Sequence, residues 1–138
     1  MLPQVRGVLE TSLYVGDLER SRSFYHTLFG FKVLSQDDRF CALDVSGHQI
    51  LLLFQKGAAV HPVPMDGGII PPHDGEGQLH LAFAIGRDDL DPWERRLQRE
   101  KIAVESRVTW RRGGKSIYFR DPDRHLLELV VPGVCATY

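Results

Sequence analysis

Two short stretches of the chain each combine a strand pattern with one side chain that can bind a metal ion. His80 begins a run that ends at Ile85, and Glu10 begins a similar run that ends at Val15. In both runs the polar residue lies five positions before a β-branched residue, Val15 or Ile85, and a glycine directly follows that residue. Imidazoles and carboxylates bind divalent metals, although either residue is also common as a hydrogen-bonded or exposed strand residue. The repetition favours the functional interpretation of both.

The residues next to His80 indicate open space in front of its ring. Strand side chains alternate between the two faces of a sheet, so His80, Ala82 and Ala84 share one face. Alanine is small, and two alanines beside an imidazole leave room for another molecule. We therefore expect this face to line a cavity.

A third polar residue lies in the last predicted strand. Glu128 is the one carboxylate in an otherwise apolar run that ends at Val131. Burying an unpaired charge is costly, so this pattern predicts either a solvated face or a cation partner for Glu128. The residues by themselves leave both possibilities open.

The elements around these residues form the order β-α-β-β-β twice. In the first module, residues 7–55, a strand precedes a helix that is predicted to begin after the cap Asp17 and to end at Gly30. Three strands follow, at 31–35, 39–45 and 48–54, with a turn at 46–47. We infer an internal duplication from the second module, residues 78–132.

In the second module the helix has a different predicted start. Asp91 is the expected cap, Pro92 the expected first helical residue, and Glu94 the residue that reaches back in a capping box. An extra turn that begins at Asp88 is an alternative. Strands are predicted at 102–108, 115–120 and 124–131, and His125 is expected to support the turn before the last strand. The loop 56–77 is rich in proline and glycine, which predicts no regular element and suggests a linker or a lid.

Composition narrows the class of protein. The chain has 138 residues, 25% charged residues and a formal net charge of −1, which gives no electrostatic case for binding nucleic acid or an anionic membrane. No apolar run approaches the roughly 20 residues of a membrane span. The N-terminus lacks the apolar region of a secretory signal, and the two distant cysteines suggest a reducing compartment. We expect a cytoplasmic protein.

Three segments, 13–25, 80–83 and 117–129, together resemble the vicinal oxygen chelate superfamily, which includes glyoxalases, extradiol dioxygenases, fosfomycin-modifying enzymes and bleomycin resistance proteins. The resemblance extends over nearly the whole chain. It implies an α+β fold in which two tandem βαβββ modules form curved, open, barrel-like mixed sheets, the glyoxalase/dioxygenase fold. It also implies a divalent metal bound by Glu10, His80 and Glu128.

The implied ligand set departs from the family pattern in two respects. Glu10 lies where a His or Gln is commonest, and the region around Leu52 has no glutamate to serve as the fourth ligand of glyoxalase I. Two carboxylates and one imidazole suit Mn²⁺, Fe²⁺, Ni²⁺ or Zn²⁺ and leave coordination positions for substrate oxygens. Glu10 or Glu128 is then the expected catalytic base.

Other residues are weaker candidates for contact with a small-molecule substrate. Arg111 and Lys115 belong to a basic, glycine-containing loop that could bind an anion, although a solvated hairpin is an equal alternative. Tyr118 lies on a strand with one face towards the expected cavity, and His73 could close over the site from the long loop. Arg39 is interpreted as an ordinary surface residue.

Four functions are compatible with this resemblance. The first is a metal-dependent lyase or isomerase that acts on a molecule with neighbouring oxygens. The others are an iron-dependent ring-cleaving dioxygenase, a fosfomycin-modifying enzyme and a metal-free protein that sequesters a drug or metabolite. The resemblance further implies a homodimer in which Glu10 of one chain joins His80 and Glu128 of the other.

Overall fold

The computed structural model describes residues 1–138, which form two compact units, residues 1–76 and 77–138. Each unit contains one open four-stranded sheet of mixed direction, and the fold is α+β. No helix has both the length and the apolar character needed to span a membrane.

The first unit has the predicted β-α-β-β-β order. Strand β1 is followed by helix α1 and by three antiparallel strands, with the bounds β1 Glu10–Val15, α1 Leu18–Phe29, β2 Lys32–Gln36, β3 Phe40–Val45 and β4 Gln49–Gln55. The sheet order is β1-β4-β3-β2, with β1 parallel to β4. The Asp17 side chain accepts from the Arg20 amide at 3.0 Å, and Gly30 closes the helix with φ 75°. Both predicted helix ends are confirmed.

Alternation along the strands separates a core face from an open face in this unit. The core face of the sheet packs against α1. Its buried side chains include Leu13, Val15, Leu43, Leu51 and Leu53, and those of α1 include Tyr25 and Leu28. The intervening residues, such as Ser12 and Tyr14, are less buried and belong to the open face. The period of two in the sequence predicts this division.

The prediction that 56–77 contains no regular element is wrong. Strands β5 Val63–Met65 and β6 Gly68–Ile70 pair as a short antiparallel hairpin. Asp66 and Gly67 supply the turn, and Pro64 is tolerated because a two-stranded ribbon leaves its missing amide at a free edge. The His73 amide donates to the Ala59 carbonyl at 2.9 Å, which ties the two ends of this segment together.

The second unit repeats the topology of the first. Its elements are β7 His80–Ala84, α2 Leu90–Arg99, β8 Ser106–Thr109, β9 Lys115–Arg120 and β10 Leu126–Val130, and the sheet order is β7-β10-β9-β8 with β7 parallel to β10. The shared strand order and directions match the duplication inferred from sequence. Register then defines corresponding positions: Glu10 with His80, and Leu52 with Glu128.

The predicted cap of the second helix, Asp91, is wrong, and the structure has the alternative extra turn before the helix. A single 3₁₀ turn, Arg87–Asp89, leads directly into α2, so the helix begins at Leu90 and Asp91 lies inside its first turn. The 3₁₀ turn already engages backbone groups, since the Asp89 amide donates to the Gly86 carbonyl at 3.1 Å. Glu94 does not reach back to a cap. It pairs with Arg107, whose Nε lies 2.7 Å from Glu94 Oε1.

The turn before β10 has the predicted support. The His125 amide donates to Asp121 Oδ1 at 2.8 Å, and His125 Nδ1 accepts from the Leu79 amide at 2.9 Å. His125 is 1% exposed. Its ring therefore joins the turn to the start of β7 and fixes the register of the strand that carries His80.

Candidate metal centre and substrate cavity

The second unit brings together His80 and Glu128. Strands β7 and β10 are parallel neighbours, with His80 opposite Leu126 and Ala82 opposite Glu128. Both side chains point to the open face, and His80 Nε2 lies 3.3 Å from Glu128 Oε2. The imidazole is half exposed, whereas the carboxylate is buried.

A hydrogen bond to the main chain determines which ring nitrogen of His80 carries the hydrogen and which one presents a lone pair to Glu128. His80 Nδ1 lies 2.9 Å from the Leu126 carbonyl oxygen, and a carbonyl can only accept, so Nδ1 carries the hydrogen. In the neutral ring Nε2 therefore presents a lone pair to Glu128 Oε2. Two electron-rich atoms at this distance need a positive charge between them, either a proton on Nε2 or a bound cation.

A chain of hydrogen bonds holds Glu128 from behind. Trp110 Nε1 donates to Ser116 Oγ at 2.8 Å, and Ser116 Oγ donates to Glu128 Oε1 at 2.5 Å. Ser116 is 1% exposed, so this hydroxyl is shielded from water. Because Oε1 accepts this bond, Oε2 remains for the space in front of His80.

Tyr118 completes the surroundings of the carboxylate. It lies opposite Glu128 in the β9–β10 pairing, and its ring centroid is 6.4 Å from that of His80. Burial raises the pKa of Tyr118, and the negative charge of Glu128 raises this pKa further. The tyrosine therefore stays a neutral hydrogen-bond donor at neutral pH.

The His80–Glu128 pair fits a divalent metal. Nitrogen and oxygen ligands lie about 2.0–2.2 Å from such an ion, so two ligands at right or tetrahedral angles are about 2.8–3.6 Å apart. The distance of 3.3 Å between His80 Nε2 and Glu128 Oε2 falls in this interval. Such a pair supplies only two donors, and no group of three His, Cys, Asp or Glu residues that could hold a metal is present.

Glu10, the third predicted ligand, lies in the first unit at the position that corresponds to His80. It borders a cavity of about 590 Å³, formed between the open face of the first sheet and the 56–77 segment. The lining residues are Glu10, Ser12, Tyr14, Arg39, Phe40, Leu52, Phe54, Ala59, His61, Val63, Ile70, Pro71 and His73. The ligand set of three therefore remains a prediction, and two of its members are in contact.

The cavity wall is closely packed where Tyr14, Phe54 and His73 meet. Tyr14 Oη lies 2.7 Å from His73 Nδ1, and the His73 ring meets Phe54 edge-on at a centroid distance of 4.5 Å. Gly75 packs so closely on Tyr14 that a Cβ there would lie 2.5 Å from Cε2. Burial raises the pKa of Tyr14, as does the charge of Asp74.

Comparison with known proteins decides the family. The model of the Glyoxalase/Bleomycin resistance protein/Dioxygenase superfamily matches residues 7–129. The chain belongs to this superfamily.

Two curated superfamily relatives are named as transferases. The chain is 33% identical over 116 residues to the metallothiol transferase FosB of Lysinibacillus sphaericus, a match that covers 83% of this chain and 74% of the relative. It is 27% identical over 128 residues to the glutathione transferase FosA of Serratia marcescens, covering 91% and 80% of the two chains.

One solved structure with a similar fold is named as a lyase. The lactoylglutathione lyase of Agrobacterium tumefaciens superposes with a TM-score of 0.86 at 28% identity, covering 95% of this chain and 97% of that one. The fold predicted from the sequence resemblance is thus confirmed.

The four predicted substrate residues lie in different parts of the structure. Tyr118 adjoins the His80–Glu128 pair, and His73 lies in the cavity of the first unit. Lys115 belongs to the opposite face of β9 from Ser116 and Tyr118, because neighbouring strand residues alternate. Arg111 is exposed in the turn between β8 and β9.

Some residues of these sites were not predicted from the sequence. Ser116 lies two positions before Tyr118 in a strand, so period-two alternation alone would have placed both on the face of Glu128. Arg39 lines the cavity, which corrects its assignment as an ordinary surface residue. The bond from Trp110 has no sequence signal, because it depends on how the β8–β9 turn folds.

Proposed function

We propose that the chain is a divalent-metal-dependent enzyme that acts on a small molecule with adjacent oxygens. The observation that carries this proposal is the Nε2 lone pair of His80 facing the buried carboxylate of Glu128 across 3.3 Å. A bound divalent cation would supply the positive charge that this pair needs, and the names of the metallothiol and glutathione transferases and of the lyase support an enzyme.

His80 and Glu128 would hold the metal, which supplies Lewis-acid polarisation of substrate oxygens. Ser116 and Tyr118 both hydrogen-bond to Glu128 and keep it oriented. Glu10 is the better general base, because its side chain is exposed and accessible to a substrate proton whereas Glu128 is held by Ser116. The candidates Arg111, Lys115 and His73 are secondary in this arrangement.

The reaction type best supported is transfer of a thiol to a small electrophile, since relatives at 33% and 27% identity are named metallothiol transferase and glutathione transferase. The second candidate is a lyase reaction, supported by the structural similarity to lactoylglutathione lyase. Loss of free thiol from glutathione or cysteine with an epoxide panel tests the first. Turnover of the glutathione hemithioacetal of methylglyoxal tests the second, and oxygen uptake with catechols tests the dioxygenase alternative.

Metal binding is tested by adding Mn²⁺ to metal-free protein and following the free ion by electron paramagnetic resonance. We expect the changes His80→Ala and Glu128→Gln each to weaken binding by about 100-fold or more, since each removes a ligand. The control His48→Ala removes an exposed histidine outside the site and should have no effect. Equal Mn²⁺ affinity in all four proteins would leave only the metal-free binding protein.

We also propose a homodimer in which Glu10 of one copy completes the site of the other. The support is that the chain supplies His80 and Glu128 as a pair, with Glu10 at the corresponding place in the other module. Variants Glu10→Gln and His80→Ala should each bind Mn²⁺ weakly. Their mixture should regain tight sites, because each mixed dimer contains one intact set. No recovery after verified subunit exchange would refute the shared site.

A further inference from the structure

A row of three aromatic side chains crosses the open face of the first sheet. Tyr14 is the register partner of Phe54, and Phe54 is the register partner of Phe40. The ring centroids are 6.1 Å apart for Tyr14 and Phe54 and 5.8 Å apart for Phe40 and Phe54, with 29° between the ring planes in both pairs. We call Tyr14, Phe54 and Phe40 the aromatic row.

The fold does not require aromatic residues at these positions. The same strand topology in the second unit carries Ala84, Val130 and Ser116 at the corresponding register positions. Those three side chains together are much smaller than the aromatic row. A requirement particular to the first unit must therefore account for the three rings.

The 56–77 segment places the His73 ring edge-on against Phe54 and still leaves a cavity beside the aromatic row. Ala59, Val63, Ile70 and Pro71 line the opposite side of the cavity, whose volume is about 590 Å³. Cavities that take drug-sized ligands measure about 300–1,000 Å³. The size and the apolar walls suit a ligand with a substantial apolar part.

Polar groups of the cavity lie near both ends of the aromatic row. Ser12 and Glu10 precede Tyr14 on β1 by two and four residues, so Glu10 lies about 13 Å along the strand at about 3.3 Å per residue. At the other end of the row, the Arg39 guanidinium lies 5.9 Å from the centre of the Phe40 ring. A ligand that stacks on the row can thus extend its polar part towards Glu10.

We propose that this cavity binds its small molecule through a planar aromatic ring stacked on the aromatic row, with a polar oxygen-bearing substituent directed towards Glu10. The assignment names the substrate class of the proposed enzyme and rests on that function. Aromatic rings stack on one another with an energy beyond that of area burial alone, which a saturated ring of equal size does not gain.

The test compares 2-naphthol with decahydro-2-naphthol, its saturated counterpart, by calorimetric titration of the full chain with and without Mn²⁺. We expect 2-naphthol to bind about 3- to 10-fold more tightly, from the stacking contribution. Nuclear Overhauser contacts should connect the naphthol protons to the rings of Phe40 and Phe54. Equal affinity for the two compounds, or binding of neither, would overturn the proposal.

Two variants of matched chemistry locate the effect. Phe40→Leu shortens the aromatic row and should remove most of the preference for 2-naphthol. Phe31→Leu removes a half-buried ring that stacks on Phe29, outside the cavity lining, and should leave the preference unchanged. An equal loss in both variants would count against the row, and the comparison of the two probes on the unaltered chain does not depend on either variant.

The metal arm separates this proposal from the proposed enzyme. If 2-naphthol is preferred but His80 and Glu128 bind no Mn²⁺, the cavity's preference for an aromatic ring stands as ligand binding, and the metal-dependent enzyme fails. If Mn²⁺ binds as expected but the two naphthols bind equally, only the substrate class is wrong.

Discussion

At positions that correspond by strand register, the open faces of the two modules carry different chemistry. A row of large rings in module one corresponds to small residues in module two: Tyr14, Phe54 and Phe40 correspond to Ala84, Val130 and Ser116. Two residues before Phe54 and Val130 on the same strands, the apolar Leu52 of module one corresponds to Glu128 of module two. The βαβββ frame constrains the core faces and leaves the open faces free to diverge.

The two faces are also stabilised by different interactions. In module two a buried hydrogen-bond chain from Trp110 through Ser116 holds a carboxylate. In module one a folded loop packs His73 and Gly75 against aromatic rings. Perturbing the hydrogen-bond chain of module two should therefore change metal affinity, whereas perturbing the loop contacts of module one should change stability and ligand selection.

Among variants that keep all three proposed ligands, the largest effect is expected from the residue that supports Glu128. Ser116→Ala removes the hydroxyl that donates to Oε1, and removing such a supporting partner lowers metal affinity by about 10- to 100-fold. Mn²⁺ titration of the folded variant measures this loss. Ser106→Ala, on the neighbouring strand β8, is the control and should bind Mn²⁺ normally. Equal affinity of the two variants would mean that Ser116 has no positioning role.

The next effect should appear in module one as a loss of stability. Gly75→Ala places a Cβ 2.5 Å from the Tyr14 ring, and such overpacking lowers the free energy of unfolding by about 1–3 kcal/mol. Urea denaturation measures this change. Gly67→Ala, where a Cβ would meet nothing within 4 Å, is the matched control. If both variants unfold at the same urea concentration, the loop does not pack on Tyr14 as described.

The smallest effect concerns an ion pair of module two away from the open face. The hydrogen bond from Arg107 lowers the pKa of Glu94. This pair therefore contributes to stability above the ordinary glutamate pKa of 4.5, and the contribution disappears as the pH falls through the lowered value. Arg107→Gln should lower the free energy of unfolding only slightly at pH 7, because water screens an exposed ion pair. The difference should vanish in strong acid, and a difference that persists there would exclude the ion pair as its cause.

The sequence predicted those features that depend on local pattern. Alternation with period two identified the strands, and Asp17 and Gly30 marked the ends of α1, because a cap and a left-handed glycine act within one turn. The duplication was predictable since both copies retain the same order of elements. The family resemblance, and not local pattern, implied His80 and Glu128 as ligands; the two side chains lie in contact, and their role as ligands stays a prediction.

Features that depend on contacts between distant segments were not predictable in this way. The β5–β6 hairpin forms within a proline- and glycine-rich segment whose composition predicts a loop. The 3₁₀ turn before α2 moved the start of that helix away from Asp91. The role of Arg39 in the cavity lining depends on how that loop folds over the sheet, which no local pattern records.

The hydrogen bond between His80 Nδ1 and the Leu126 carbonyl has a consequence for how such proteins diversify. The tautomer of the imidazole is set by the main chain, so the side chain at position 126 does not determine it. If the proposed function holds, module two supplies His80 and Glu128 to the metal, and module one supplies Glu10 and the aromatic row. Substitutions in the aromatic row should then change ligand selection without touching His80 or Glu128.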